Sequence, residues 1–316
     1  MESHLLRLLL QNRSDFISRA QLQRELSIHE QALDSLLQML ISWEYRMEFH
    51  PTLGIRLLEL PLSLHLDEVF AQLPPQFSWR IFHLKETSST MDFLKREGIQ
   101  GAPHGSIVIA NQQTAGRGRL GRSWTSSPEL GLYLSILLRP DFGVESYSRL
   151  TILTAVATLQ TIEYLTSLHL QIKWPNDLMI GKRKLAGILT EVHRDHFGKP
   201  FAIVGLGLNL LHQTSDFPSE LQSKASSLLM ESGKSIRRTD LLVHWIQFYQ
   251  KALLMPFDEI SDLWKSRCLN LGELIQVHTE QGPLAGTALD LESNGSLILR
   301  TDSGKIHSIL SGIVEI

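Results

Sequence analysis

The sequence contains a single cysteine, Cys268, among its 316 residues. One thiol excludes an internal disulfide framework and is typical of proteins in a reducing compartment. Long apolar runs are also missing, because no stretch approaches the roughly 18 apolar residues that a membrane-spanning helix needs. The apolar run near the N-terminus is interrupted by Arg7, and no signal-peptide cleavage pattern follows it. We therefore expect a cytoplasmic protein without a membrane partner.

Metal-site spacing and a strong net charge are absent as well. The 13 histidines are scattered and never form HxxxH or HExxH, which are spacings of zinc sites. The formal net charge is −3, so the molecule as a whole does not attract polyanions. Any binding of polyanions therefore needs a local basic patch. Apolar residues make up 43% of the chain, which is typical of a globular protein.

The beginning of the chain predicts three short helices. Their apolar residues recur at helical spacing, and their expected ranges are 3–13, Arg19–Leu26 and Glu30–Trp43. Ser18 and Ser27 stand where they can cap the second and third helices.

A hairpin follows these helices. The segment Tyr45–Leu60 has strand character on both sides of the turn Pro51-Thr52-Leu53-Gly54. Three short helices and a hairpin are typical of a winged helix-turn-helix. We assign residues 1–62 to this domain and residues 63–78, which are rich in leucine and proline, to a linker.

The rest of the chain mixes strands and helices and then changes character near its end. Residues 79–268 alternate apolar strands with amphipathic helices, which predicts a mixed sheet covered by helices. Residues 269–316 contain short strands separated by Gly282-Pro283, Asn294-Gly295 and Ser303-Gly304, which are turn sequences. This last segment predicts a small SH3-like β-barrel, and the fold class is therefore α+β.

The stretch GRGRLG, Gly116 to Gly121, matches the dinucleotide fingerprint GxGxxG. A Rossmann loop must open a helix whose N-terminus holds the pyrophosphate. Here serines, Pro128 and Gly131 follow instead, and the next element is a strand. The fingerprint therefore fails its structural requirement.

The arginines inside GRGRLG offer a different interpretation. Arg117, Arg119 and Arg122 lie in a segment, residues 98–128, that contains no Asp or Glu. Glycines let the backbone approach a ligand closely, and arginines bind phosphate or carboxylate through a planar fork. The stretch predicts an anion-binding loop, although a solvated basic loop would have the same composition.

Further polar residues stand at predicted strand ends and hairpin turns, where sites usually lie. Lys184 could hold a second anion, and Asp177 could bind Mg²⁺ or accept a proton from an attacking amine. Asn209 could contact a ribose or phosphate oxygen. Each residue by itself is also compatible with an ordinary surface or turn position.

Together these segments closely resemble the biotin–protein ligases, and the resemblance extends over about residues 80–316. With the predicted winged helix, the whole chain resembles the bifunctional ligase–repressor type. The matching motifs are Thr87-Ser-Ser-Thr90, Gln113-Thr-Ala-Gly-Arg-Gly-Arg119, Gly121-Arg122-Ser-Trp124, Lys173-Trp-Pro-Asn-Asp177, Lys184-Leu-Ala-Gly-Ile-Leu189, Gly205-Leu-Gly-Leu-Asn209 and Ala225-Ser-Ser-Leu228.

The resemblance implies a central sheet of the class II synthetase-like biotin ligase fold and a two-step reaction. Biotin and ATP, with Mg²⁺, give biotinyl-5′-AMP. The biotinyl group then passes to a lysine of the biotin carboxyl carrier protein of acetyl-CoA carboxylase. The GRGRLG loop would close over the adenylate and exclude water, which protects a hydrolysable mixed anhydride.

The resemblance also implies roles for individual residues. Lys184, Arg119 and Asp177 are the catalytic candidates, and Asp177 is also the metal candidate. The nucleotide-binding candidates are Arg119, Trp124, Asn176 and Asn209. The biotin-binding candidates are Ser89, Thr90, Met91, Gln113, Gly116, Arg117, Gly118, Arg119, Lys184 and Gly187.

The sequence departs from the family pattern at two positions. Met91 follows the Ser-Thr pair where the family often has Asn, and Asn111 stands where Glu or Asp is common. One hydrogen bond toward biotin or its helix is therefore expected to be missing at Met91.

The predicted recognition helix is poorly suited to DNA. The segment Ile28–Trp43 has no Lys or Arg but contains Glu30 and Asp34, and acidic residues oppose the phosphate contacts that supply most of the affinity. The wing, His50–Arg56, is poor in basic residues too. We expect weak or lost binding to an operator of biotin genes. Two alternatives are disfavoured: a primarily biotin-sensing repressor by the charge of Ile28–Trp43, and a lipoate or octanoyl transferase by the GRGR and KWPND segments. The resemblance also allows a homodimer formed on adenylate binding.

Overall fold

A computed structural model describes residues 1–279 and 282–315. Its contacts divide the chain into two units. The first unit comprises Met1–Ser78 and Arg237–Val243, and the second comprises Trp79–Ile236 and His244–Ile316. No helix in the described part of the chain has the length and apolar character needed to cross a membrane.

The first unit contains the three predicted helices, a hairpin and one further helix. Buried leucines of the helices, such as Leu5, Leu22 and Leu37, form its core. The two strands of the hairpin are antiparallel. The elements are α1 (Glu2–Gln11), α2 (Arg19–Leu26), α3 (Glu30–Ser42), β1 (Arg46–His50), β2 (Gly54–Glu59) and α4 (Leu66–Gln72).

The helix caps agree with the prediction at Ser18 but not at Ser27. The Ser18 side chain accepts a hydrogen bond from the Gln21 amide and begins α2. Ser27 instead ends α2 in the left-handed conformation, with φ of 56°, which is a common way for a helix to stop. His29 caps α3 by accepting from the Ala32 amide. The predicted cap at Ser27 is therefore wrong, because that residue is used by the preceding helix.

The segment predicted as a linker, residues 63–78, contains α4 and lies within the first unit. Arg7 of α1 donates to the carbonyl oxygens of Phe70 and Ala71, at 2.8 and 3.0 Å. These bonds hold the end of α4 against α1, so the segment is a folded part of the unit.

A buried ion pair lies beside α4. Glu68 is fully buried, and both of its carboxylate oxygens accept from Arg237 at 2.7 Å. The Tyr45 hydroxyl donates to Glu68 at 2.8 Å. Burial and the neighbouring carboxylate raise the pKa of Tyr45 above its ordinary value.

The second unit is built on a seven-stranded mixed sheet in the order β3-β4-β5-β9-β8-β7-β6. β3 and β4 run parallel, and the other neighbouring pairs are antiparallel. The strands are β3 (Ile81–Thr87), β4 (Ser106–Gln113), β5 (Gly131–Leu138), β6 (Gln171–Lys173), β7 (Asp177–Ile180), β8 (Arg183–Arg194) and β9 (Pro200–Asn209).

Helices pack against this sheet. At Gly98 of α5, an added Cβ would lie 2.4 Å from Phe201, so glycine is required where α5 meets β9. The mixed sheet with helices agrees with the predicted central architecture. The helices are α5 (Thr90–Ile99), α6 (Arg149–Thr166), α7 (Leu228–Ser232), α8 (Arg238–Leu254), whose first residues fall in the first unit, and α9 (Phe257–Lys265).

The C-terminal strands form a five-stranded antiparallel sheet in the order β13-β12-β11-β10-β14. Residues 310–312 turn the chain and separate β13 from β14. Within the described ranges the end strands do not pair, so no closed barrel is seen. The strands are β10 (Leu274–Thr279), β11 (Gly282–Leu291), β12 (Leu297–Arg300), β13 (Ile306–Ile309) and β14 (Ile313–Glu315).

Candidate functional site

The GRGRLG stretch lies in the connection between β4 and β5 and folds back on itself. The Trp124 amide donates to the Gly116 carbonyl at 2.9 Å, and the Gly118 amide donates to the Arg122 carbonyl at 2.7 Å. Arg117 and Ser123 form an antiparallel bridge between these bonds. The turn is followed by β5, with no α-helix between. The rejection of a Rossmann loop is confirmed, and we call residues 116–124 the arginine loop.

The arginine loop covers a cavity of about 50 Å³. The start of α5 forms one wall, and residues of β5, β8 and β9 form the floor. Among its lining residues are these members of the predicted set: Ser89, Thr90, Met91, Gln113, Arg117, Gly118, Arg119, Trp124, Asn176, Lys184 and Gly187.

Gly116 lies outside this lining. An added Cβ there would lie 2.4 Å from the Trp124 carbonyl oxygen, so this glycine lets the two ends of the arginine loop approach each other. Its contribution is therefore to the loop rather than to the cavity wall.

One wall of the cavity is a chain of hydrogen bonds. The amide and hydroxyl of Thr90 both donate to Gln113 Oε1, at 2.9 and 3.1 Å. Gln113 Nε2 donates to the Ser126 hydroxyl at 2.9 Å, and the Thr90 hydroxyl lies 2.8 Å from that of Ser135. The buried Ser89 hydroxyl has no hydrogen-bond partner within the described ranges, so it is free to bind a ligand. Ser126 and Ser135 were not predicted.

Other residues that line the cavity are apolar. Met91 is buried against Gly205, where an added Cβ would lie 2.9 Å from the methionine sulfur. The Trp124 ring lies on Gly207, where an added Cβ would lie 2.4 Å from the ring. A ligand with one polar edge and an otherwise apolar ring would match both sides.

Arg119 is a half-buried cation that has no carboxylate within 4.0 Å among the described residues. It donates to Asn176 Oδ1 and to the Gly312 carbonyl oxygen, both at 3.2 Å. Burial lowers the pKa of Arg119 from its ordinary value. Because burial of an uncompensated charge is unfavourable, an anion beside Arg119 would stabilise it.

Arg117, in contrast, is already paired. Its guanidinium binds both carboxylate oxygens of Glu191, at 2.8 and 3.0 Å. A carboxylate oxygen of Asp92 lies 3.0 Å away. Neither acidic residue was predicted.

Lys184 and Asp177 meet at the edge of the cavity. Lys184 Nζ lies 2.6 Å from Asp177 Oδ1 and 5.3 Å from the centre of the Trp124 ring. The neighbouring strands β7 and β8 bring them together, although they are seven positions apart. Within residues 1–279 and 282–315, no group of three His, Cys, Asp or Glu side chains could hold a metal ion.

A second cavity, of about 420 Å³, adjoins the first through Trp124 and Lys184. Among the described residues, its lining has several cationic side chains and one acidic side chain, Asp177. Asn209 lies in its wall and donates to the Ser226 carbonyl at 2.9 Å. Its cationic lining residues are Arg122, Lys173, Lys182, Lys184 and Lys224.

His212 and Phe217 complete the wall of the second cavity, and neither was predicted. Their rings stack with centroids 5.0 Å apart. Burial lowers the pKa of His212 to about 4, so the ring is neutral near pH 7. This buried pair is an uncharged part of the wall beside a group of cations.

Two family models match the chain. The Biotin/lipoate A/B protein ligase family matches residues 84–209, and the Biotin protein ligase C terminal domain matches residues 271–316.

Individual relatives match more of the chain than the family models do. The bifunctional ligase/repressor BirA of Bacillus spizizenii is 33% identical over 100% of this chain and 98% of its own length. The biotin–[acetyl-CoA-carboxylase] ligase of Mycobacterium tuberculosis is 29% identical over 67% of this chain and 79% of its own. A solved biotin protein ligase from Aquifex aeolicus, in complex with biotin and ATP, is 30% identical with a TM-score of 0.65. That match covers 75% of this chain and 97% of the Aquifex chain. The chain therefore belongs to the biotin protein ligases of the biotin/lipoate A/B protein ligase family.

Proposed function

We propose that this chain joins biotin to ATP, forms biotinyl-5′-AMP, and transfers biotin to a lysine of a biotin carboxyl carrier protein. The observation that carries the proposal is the position of Arg119. This cation without a carboxylate partner lines the cavity under the arginine loop, and Asn176 and Lys184 stand beside it. The Aquifex relative, which shares this fold, has biotin and ATP bound.

Biotin fits the smaller cavity by chemical complementarity. Its ureido group would exchange hydrogen bonds with Ser89, Thr90 and Gln113, which form the polar wall. Its sulfur-containing ring would lie against Met91 and Gly205. The carboxylate at the end of the valeryl chain would then reach Arg119.

ATP fits the second cavity. The flat surfaces of Trp124, His212 and Phe217 suit a purine base, and stacking on aromatic rings is favourable. Asn209 is placed to contact the nucleotide, and the lysines around the cavity balance the charge of the phosphates.

The chemistry in the first step is an in-line displacement. A biotin carboxylate oxygen forms a bond to the α-phosphorus, and the bond between that phosphorus and the pyrophosphate oxygen breaks. Arg119 and Lys184 reduce the repulsion between the two anions and stabilise charge at phosphorus. Asp177 holds the Lys184 ammonium group, 2.6 Å away, in the required position.

In the second step, the acceptor lysine attacks the acyl carbon of the adenylate and AMP leaves. The attacking amine must lose a proton to become the amide nitrogen. Asp177 is the acidic residue lining the second cavity, and we assign the acceptance of this proton to it. The arginine loop excludes water during this step.

A single carboxylate in the second cavity fits an ion that is carried by the nucleotide phosphates, because Mg²⁺ commonly uses one or two carboxylates together with phosphates. Asp177 would hold Mg²⁺ on the protein side, and the ion would balance phosphate charge. The carboxylate of Asp177 by itself does not fit a permanently bound metal ion, because such an ion needs more ligands from the protein.

We assign residues 1–62 to a winged helix, residues 79–268 to the catalytic domain and residues 269–316 to an SH3-like domain. DNA binding by the first of these is weak in this proposal, because three of its six arginines are paired with carboxylates. Arg19 pairs with Asp34 of α3, and the hairpin pairs Arg46 with Glu59 and Arg56 with Glu48. Residues 63–78, through α4, complete the same unit.

A homodimer is supported by the edge of β8. Residues 183–187 of β8 pair with β7, whereas residues 189–194 pair only with β9 among the strands in the described ranges. A free strand edge can pair with a second copy of the chain. Adenylate binding would promote this pairing by ordering the adjacent arginine loop.

Biotin-dependent exchange between ATP and pyrophosphate tests the ligase proposal directly. Exchange that needs biotin, followed by labelling of a carrier domain, is the expected result. Exchange that occurs with lipoate or octanoate but not with biotin would overturn the substrate assignment. Fluorescence anisotropy with DNA upstream of biotin-synthesis genes tests the repressor. Salt-sensitive binding strengthened by biotin would contradict the weak DNA binding proposed for the first unit.

A further inference from the structure

The short segment of residues 224–227, which we call the serine segment, is attached to the start of β8. The Lys184 amide donates to the Lys224 carbonyl at 2.7 Å, and the Ser226 amide donates to the Lys184 carbonyl at 2.9 Å. These two bonds form a parallel bridge. Both backbone polar groups of Lys184 are therefore bound by the serine segment.

The two serines of the segment also hold residues at and beyond the end of β9. The Ser226 carbonyl accepts from the Asn209 side chain at 2.9 Å, and the Ser227 hydroxyl donates to the His212 carbonyl at 2.6 Å. Asn209 and His212 line the second cavity, as Lys184 does. The serine segment is thus a common support for three residues of that cavity.

One carboxylate ties the serine segment to β8 from outside the cavity. Glu231 Oε1, on α7, accepts from the Ser226 hydroxyl and lies 2.6 Å from Arg183 Nη2. Only 13% of the Glu231 side chain is exposed, and Ser226 is fully buried. Loss of the carboxylate would therefore deprive a buried hydroxyl of its acceptor, which is unfavourable.

Glu231 and Arg183 do not themselves face a ligand. Neither is among the described residues that line the two cavities of the site. Arg183 directly precedes Lys184 in β8, so the carboxylate and the backbone bonds complete a closed ring. Its members are Arg183, Lys184, Ser226 and Glu231.

We propose that Glu231 is a positioning residue for the nucleotide. By holding Ser226 and Arg183 together, it fixes the serine segment against β8 and keeps Lys184 and Asn209 at the separation that ATP requires. This inference rests on the proposed function, because that function supplies ATP as the occupant of the second cavity. The ring itself is present in the protein without ligands.

The kinetics of biotin-dependent pyrophosphate exchange by the full-length protein test this role. Glu231→Ala should raise the KM for ATP about tenfold, because loss of a hydrogen bond to a charged group has effects of at least that size. The KM for biotin should not change, since the polar wall of the smaller cavity is formed by other residues, such as Thr90 and Gln113. An unchanged KM for ATP, or an equal rise in both KM values, would overturn the proposal.

Two further variants separate positioning from a general loss of stability. Glu163→Ala removes another shielded carboxylate, which pairs with Arg267 at 3.0 Å and is not among the described lining residues of either cavity. It should leave the KM for ATP unchanged, and a rise like that of Glu231→Ala would mean that lost stability explains both. Glu231→Gln should have a smaller effect than Glu231→Ala, because its amide oxygen can still accept from Ser226. Equal effects would show that this bond does not hold the segment.

A mutant cycle tests whether Glu231 acts through Ser226. Ser226→Ala removes the hydroxyl but keeps the carbonyl that binds Asn209. Added to Glu231→Ala, it should raise the KM for ATP no further, because both substitutions break the same bond. A further rise of the same size as in the single variant would contradict the proposed route.

Amide hydrogen exchange without any ligand distinguishes failure of this inference from failure of the proposed function. The Lys184 and Ser226 amides, which form the bridge, should exchange faster in Glu231→Ala than in wild type. That result would support the ring even if the wild-type protein showed no biotin-dependent pyrophosphate exchange, an outcome that would remove the proposed function. Unchanged amide exchange in Glu231→Ala, with normal catalysis by wild type, would remove this inference and leave the ligase intact.

Discussion

Lys184 is the side chain that links the two cavities. It lines both of them, lies beside Asp177 and faces the Trp124 ring. Its ammonium group is therefore placed where a carboxylate and a phosphate would meet.

Lys184→Ala should lower biotin-dependent pyrophosphate exchange by about a hundredfold or more, because removal of one donor to developing charge has effects of that size. Lys199→Ala is a matched control, because Lys199 is exposed in the turn between β8 and β9. Exchange at the wild-type rate in Lys184→Ala would remove the role assigned to Lys184.

Arg119→Gly should release the adenylate into solution. The substitution removes the hydrogen bonds to Asn176 and Gly312 together with the charge that faces the anion, and loss of charged hydrogen bonds should speed dissociation about tenfold or more. Free biotinyl-AMP and indiscriminate labelling of lysines measure this release. Tight retention of the adenylate would show that loop closure does not depend on Arg119.

His212 should make the free energy of unfolding depend on pH. Its folded-state pKa of about 4 is below the ordinary value near 6.5, so the unfolded state binds more protons between these values. The contribution of the neutral ring to the free energy of unfolding is at its maximum above pH 6.5. As the pH falls toward 4, up to about 3 kcal/mol of it is lost. Urea unfolding of wild type and His212→Phe at pH 7 and pH 5 measures the difference. Equal pH dependence in the two proteins would contradict it.

Individual residues differ in how well the sequence predicted them. The resemblance gave the residues within contiguous motifs, such as Lys184 and Gln113. It missed Asp92 and Glu191, because each lies outside the basic stretch and reaches Arg117 only through the packing of α5 and β8. The sequence also did not predict the place of His212, because an isolated histidine belongs to no motif whose spacing indicates a buried ring.

At the scale of elements, the pair Glu68–Arg237 joins α4 to the residue before α8 within the first unit. Glu68→Gln should lower the free energy of unfolding by about 3 kcal/mol or more, because it leaves a buried arginine unpaired. Glu59→Gln breaks an exposed pair and should cost less than about 1 kcal/mol. Urea unfolding measures both. Similar losses in the two variants would show that burial does not set the contribution of this pair.

The elements themselves were predicted where the apolar pattern is regular. The ranges of α2 and α3 were close to those observed. α4 was missed, because a seven-residue helix next to prolines has too short a pattern to distinguish from a linker. The start of α3 at Glu30 was predicted correctly, but its cap was assigned to Ser27 instead of His29, because the sequence does not show that Ser27 ends α2.

At the scale of the whole molecule, charge is distributed in separate regions. The chain has 30 basic and 33 acidic residues, yet the lining of the second cavity has five cations and one carboxylate. In the first unit, by contrast, Arg19, Arg46 and Arg56 are paired with carboxylates. The family and its reaction followed from motifs in the second unit, whereas the behaviour toward DNA depends on pairing that only the structure describes.

Binding of an operator duplex should therefore be weak and have a shallow dependence on salt. Each phosphate contact contributes to the slope of affinity against salt, and few arginines of the first unit are free to make such contacts. Replacing both acidic partners, with Glu48→Gln and Glu59→Gln together, should release Arg56 and Arg46 and steepen the slope. Anisotropy at several salt concentrations measures it. A steep slope in the wild-type protein would contradict the engaged arginines.

The charge of Arg119, which has no carboxylate partner among the described residues, affects how biotin binding is measured. Because an anion stabilises a half-buried cation that has no carboxylate partner, sulfate or phosphate in the buffer is expected to compete with the biotin carboxylate at Arg119. The apparent affinity for biotin then depends on the anion in the buffer as well as on the protein. The apparent affinity for biotin should therefore be lower in phosphate buffer than in a zwitterionic buffer.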